Sequence, residues 1–199
     1  MSKTIEQAGM VSLCFASLLA ASAQAASVSY LLDQSNELTD GVPYAKVTID
    51  DDAANTLTFT VKPLGVFTPD SNFGVQEFGF NVNGSMATGV TWNLPTDWES
   101  SGPKNLSEFG TFDFVVSGKG NARQDPLIFS LHDAGLTLDS FADASTKGYY
   151  FAAHIAGFAT LEGQTSAFVA GSTTVPVPAP AWLLGTGLAA LSLVRRRND

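Results

Sequence analysis

Apolar and polar residues alternate with a period of two through much of this chain. Thr56 to Val61 places Leu57, Phe59 and Val61 on one face of an extended strand and three threonines on the other. Ala45, Val47 and Ile49 alternate in the same way before it. Asp50 to Asn55 lies between them as a polar, turn-rich link, so the two runs predict a β-hairpin. The same reading predicts strands over Ser27–Leu32, Val75–Val82, Gly110–Val116, Leu127–Leu131, Tyr149–Ala156 and Ser166–Ala170, separated by Gly, Pro, Asn and Asp clusters. Short helical turns are expected at Leu94–Trp98 and Thr137–Ala142. About eight short strands with apolar positions on one side and Thr or Ser on the other predict an all-β fold. The expected architecture is an antiparallel β-sandwich, jelly-roll-like, over residues 26–171. Most of the 14 phenylalanines belong to its core.

The two ends break this pattern. Val11 to Ala21 is a continuous apolar stretch preceded by Lys3 and followed by Ala23-Gln24-Ala25, an A-x-A site. Residues 1–25 therefore read as a cleaved secretory signal helix, with the cut set by Ala23 and Ala25. Cys14 lies inside it, and Leu13 occupies the place where a lipidated cysteine needs a small neighbour. At the other end, residues 172–180 form a Pro-rich linker that favours extended polyproline conformations. Residues 181–194 form an uncharged apolar segment, expected to be a transmembrane helix. Residues 195–199 form a basic tail that the positive-inside rule keeps cytoplasmic. The apolar segment is 14 residues, or about 21 Å as a helix, against a hydrocarbon core of about 30 Å. It suits a temporary handle better than a lasting anchor. The competing reading, a buried terminal helix, gives the flanking prolines and arginines no use.

The C-terminal tail resembles a PEP-CTERM sorting signal of Gram-negative bacteria. The residues that carry the likeness are Val175, Pro176, Val177 and Pro178, then Trp182, Gly185 and Gly187 within the apolar segment, then Arg195, Arg196 and Arg197. Pro176-Val177-Pro178 stands where the family's namesake has Pro-Glu-Pro. The resemblance covers residues 175–197 and implies recognition by an exosortase, a membrane processing enzyme. It further implies a transient stay in the inner membrane, export to the cell surface or extracellular matrix, and an association with exopolysaccharide. Tyr149 to Gly157 and Ser166 to Gly171 also resemble the last strands of many proteins of this kind.

Composition narrows the partners. Between the ends lie 17 of the 19 acidic residues and six of the ten basic ones, a formal net charge of six less 17, or −11. Nucleic acid is excluded, because binding it depends on neutralising phosphates. No cysteine follows Cys14, so neither a disulfide nor a cysteine metal site is available.

Several groups carry candidate chemistry, each beside a plainer reading. Asp50, Asp51 and Asp52 form an oxygen-rich cluster of the kind that takes calcium; a solvated hairpin turn explains them as well. Trp92 and Trp98, with Tyr149 and Tyr150, offer rings for stacking on sugars; the alternative is that both tryptophans cover the open end of the core. His132 with Asp133 and Ser130 or Ser85 sketches a hydrolase triad, but no nucleophile elbow accompanies it. His154 reads as a strand histidine. Glu77, Asp97, Glu99 and Glu108 supply carboxylates for a glycosidase pair, as in almost any acidic domain. No cofactor is called for. The expectation is a non-enzymatic structural or adhesive matrix protein; a carbohydrate-binding module comes second and a hydrolase third.

Overall fold

A computed structural model describes residues 26–84, 90–160 and 163–175. The signal segment, residues 176–199 and the expected membrane helix lie outside the described residues. Within them no helix is long and apolar enough to cross a membrane. The strands are β1 (Ala26–Leu32), β2 (Gln34–Ser35), β3 (Ala45–Ala53), β4 (Thr56–Pro63), β5 (Thr68–Phe80), β6 (Thr91–Asn93), β7 (Trp98–Ser101), β8 (Lys104–Asn105), β9 (Thr111–Phe112), β10 (Phe114–Gly118), β11 (Leu127–His132), β12 (Phe151–Ala159), β13 (Ser166–Gly171) and β14 (Thr173–Val175).

Twelve of these form two antiparallel six-stranded sheets. Sheet A runs β14-β1-β3-β4-β11-β6 and sheet B runs β2-β13-β12-β5-β10-β7. The all-β, antiparallel sandwich expected from the alternation is what the structure contains. Its period-2 faces do the work expected of them: Leu57, Phe59 and Val61 are fully or almost fully buried, whereas the threonines between them are half-exposed.

The sheets are held together by aromatic packing. Phe59 of sheet A stacks on Phe129 at 4.8 Å and on Phe80 of sheet B at 5.3 Å. Phe141 meets it edge-on at 4.9 Å. Phe141 comes from a short 3-10 turn, Leu138–Phe141, which matches the turn expected at Thr137–Ala142. Among the described residues ten phenylalanines are buried.

Four local expectations change. The Asp50–Asn55 link is shorter than expected: β3 runs on to Ala53 with a bulge after Asp50, and the turn is only Ala54-Asn55, with Asn55 in the left-handed region. No helical turn forms at Leu94–Trp98. Strands β6 and β7 flank that stretch and edge the two sheets, one each. The expected Gly110–Val116 strand is divided between β9 and β10. The start of the expected linker is ordered as β14, which pairs with β1 through Ser29–Val175, Tyr30–Thr174 and Leu31–Thr173. Local alternation could not show this, because the pairing joins residues far apart in the chain.

A flap covers part of sheet B. Strand β8, the 3-10 turn Ser107–Phe109 and β9 fold back over its outer face and bury a second cluster: Leu106, Phe109 and Phe112 against Val115, Ala152 and Ala170. Gly79 makes this approach possible. A Cβ there would lie 2.5 Å from Leu106 Cδ1 and 3.1 Å from Phe112 Cγ. Lys104 on the flap pairs with Glu77 of the sheet at 2.6 Å.

Two predictions follow from this packing. Phe59→Ala removes the ring shared by both sheets and should cost about 3–5 kcal/mol in chemical denaturation. Gly79→Val should overpack the flap at a cost of about 1–3 kcal/mol. It should also speed amide exchange at Leu106–Phe112 ahead of the core strands, and equal exchange in variant and wild type would refute the close approach.

Candidate functional site

The outer face of sheet A carries mostly polar side chains, set side by side by the strand register. Successive cross-strand rows bring side chains from distant parts of the sequence next to each other. One row contains Leu31, Lys46 and Lys62. The next contains Ser29, Thr48, Thr60 and Ile128. A third contains Ser27, Asp50, Thr58, Ser130 and Asn93. The last contains Thr56, His132 and Thr91. Cross-strand hydroxyls interact directly: Ser29 Oγ lies 3.0 Å from Thr48 Oγ1. Ile128 stands half-exposed, at 51%, among these polar neighbours. Beside it a shallow groove of about 500 Å³ is lined by Thr58, Asn93, Gln124, Pro126 and Ser130. A second groove, of about 370 Å³, is lined by Lys46, Thr48, Thr60, Lys62 and Leu64.

The outer face of sheet B differs. Its polar row reads Glu99, Ser117, Glu77, His154 and Phe168. Each carboxylate has its own lysine, Glu77 with Lys104 and Glu99 with Lys119 at 3.0 Å. His154 stacks on Phe168 at 4.4 Å, nearly parallel. Burial pushes its imidazole pKa below the ordinary value, and the Glu77 carboxylate opposes that shift. These groups staple the strands and the flap together. Glu108 sits on the flap's turn and Asp97 in the left-handed turn before β7, so the four carboxylates named from the sequence do not meet in one cleft.

Compared with known proteins, the chain matches no family model, no curated protein and no solved structure.

The residues singled out from the sequence fall as follows. Trp98 is buried, with 7% of its surface exposed, and Trp92 is half-buried against Phe80 and Phe114 at 6.1 and 5.9 Å. They line the core edge rather than an exposed stacking platform, because β6 and β7 turn their rings inward. Tyr149 packs edge-on against Phe109 of the flap, and Tyr150 against Tyr30. His132 is exposed, with Nδ1 2.9 Å from Thr56 Oγ1, while Asp133 Oδ1 accepts the Gly135 amide in the following turn. Asp133 Oδ2 is buried without a hydrogen-bond partner among the described residues, so neither carboxylate oxygen holds the imidazole. Ser85 lies outside the described residues.

Asp50 and Asp51 are successive residues of β3, at the bulge where its register with β4 shifts. Asp52 shares that strand backbone. Among the described residues no group of three His, Cys, Asp or Glu side chains converges to hold a metal. Of the sorting residues only Val175 is described, as the last residue of β14. Pro176, Val177, Pro178, Trp182, Gly185, Gly187 and Arg195 to Arg197 lie outside the described residues, as do Ala23 and Ala25.

The row register itself is what sequence reasoning missed. Lys46 and Lys62 are 16 positions apart and become neighbours only through the β3–β4 pairing. The alternation at Ala45–Ile49 and Thr56–Val61 already put both lysines on the polar face, and aligning the hairpin would have paired them.

The aspartate geometry yields a direct test. The melting temperature of the protein should be unchanged by EDTA, and a fall on chelation would restore a structural cation at Asp50–Asp52.

Proposed function

We propose that this chain is an exported protein of the PEP-CTERM type, acting as a structural or adhesive component of an exopolysaccharide matrix. The observation that carries the contact role is the open, hydroxyl-rich outer face of sheet A, with its rows of Ser, Thr and Asn side chains beside two shallow grooves. Such a face offers donors and acceptors at the fixed spacing of the strands, which suits repeated hydroxyls on a polymer. The route to that matrix rests on the ordered tail: Val175 to Pro178, then the Trp182, Gly185 and Gly187 segment, then Arg195 to Arg197. The arginines hold the chain at the cytoplasmic side of the inner membrane, and an exosortase-type enzyme acts between Val175 and Pro180. Repeated passage of the chain between the two sheets supports a jelly-roll-like form of the sandwich.

Carbohydrate binding by stacked tryptophans is the weaker alternative, because Trp98 has little exposed ring. Sugar contact by the sheet A face needs no aromatic platform.

Mass spectrometry of the surface form tests the route. The matrix fraction should contain the chain without the Trp182–Val194 segment. A matrix form that retains this segment, or absence of the protein from the matrix and cell surface, would overturn the reading.

A further inference from the structure

We propose that Lys46 and Lys62 form an anion-binding site on the outer face of sheet A, and that its ligand is the carboxylate of a uronate-bearing polysaccharide. This deepens the matrix-contact reading by naming the sugar class, and it rests on that reading.

The two lysines stand directly opposite each other in the β3–β4 register. Side chains so placed have Cβ atoms about 4.5–5.5 Å apart, and like charges there destabilise the pair. Both are exposed, and among the described residues neither forms an ion pair; Lys104 and Lys119 each do, and Lys147, which stands alone, does not. Arg123 is also engaged, donating to Gln76 Oε1 and to the Asn72 carbonyl. In a domain with 17 carboxylates for six cations, a cation pair without a carboxylate is the reverse of what charge neutralisation would produce. An external anion bridging both ammonium groups removes the repulsion and forms charge-assisted hydrogen bonds.

The surroundings specify the rest of the ligand. Thr48 and Thr60 face each other in the adjacent row and present hydroxyls beside the lysines. Leu64 lines the same groove, and Leu31 sits next to Lys46, so apolar surface is available for sugar C–H faces. Duplex nucleic acid carries a charge every 1.7 Å or so along its axis. It would lay phosphates on the acidic surface beyond the pair. A uronate polymer presents one carboxylate per sugar with hydroxyls between, which matches one cation pair set among threonines.

The test is binding of the exported protein to polygalacturonate, with neutral dextran and dextran sulfate as comparisons. Wild type should bind polygalacturonate more tightly than dextran, and binding should weaken as salt rises. Lys46→Gln and Lys62→Gln should each reduce affinity about tenfold, without lowering the melting temperature. Lys147→Gln, at an exposed lysine elsewhere, should leave binding unchanged. Absence of polygalacturonate binding, equal binding by the lysine variants, or a preference for dextran sulfate alone would overturn the site. Equal, lysine-independent binding to dextran and polygalacturonate would remove the site but leave the matrix-contact reading standing. That reading fails separately, by absence of the protein from matrix and surface.

Discussion

The contact between Phe59 on one sheet and Phe78 and Phe80 on the other is what the remaining structure depends on. The chain between its ends has no cysteine, so no covalent link ties the layers. Burial must supply the cohesion, and a fully buried phenylalanine contributes about 1.5–3 kcal/mol in transfer free energy. Offset and edge-on ring geometries add directional preference to that term. Phe129 and Phe141 complete the arrangement from a neighbouring strand and from the 3-10 turn, so one cluster fixes sheet spacing and the position of a loop together. Because strands alternate, committing these residues inward also commits their neighbours outward.

The two outward faces then meet different fates. Sheet B is partly roofed by its flap, which needs the missing side chain of Gly79 and is clasped at Lys104–Glu77. Its polar row is consumed by internal pairing. Sheet A keeps hydroxyls, two lysines and Ile128 available to the outside. This asymmetry, more than any single residue, is why the functional reading falls on one face.

Much of the fold was legible because period-2 alternation is a local signal. Ala45–Ile49 and Thr56–Val61 declare both their strand character and their buried side. Thr91–Ser101 did not: β6 and β7 are three- and four-residue edge strands whose structure comes from partners on β11 and β10. Strand β14 was hidden for the same reason, since its partner lies at the other end of the domain. Trp92 and Trp98 offered rings for stacking, but burial is set by which way an edge strand faces, and the stretch itself does not encode that. The tail lies outside the described residues, and its reading stands on apolar length and flanking charge in the sequence.

Strand β14 has a mechanical consequence. It contributes three residue pairs to the edge of sheet A, and Val175 leaves the sheet beside Ser29, three residues from the start of β1. Tension applied to the chain beyond Val175 falls on those few hydrogen bonds before it reaches any core side chain. The edge strand is thus the part that yields first. It would peel away and pay out a little more chain while the aromatic centre stays intact, much as a fuse protects a circuit.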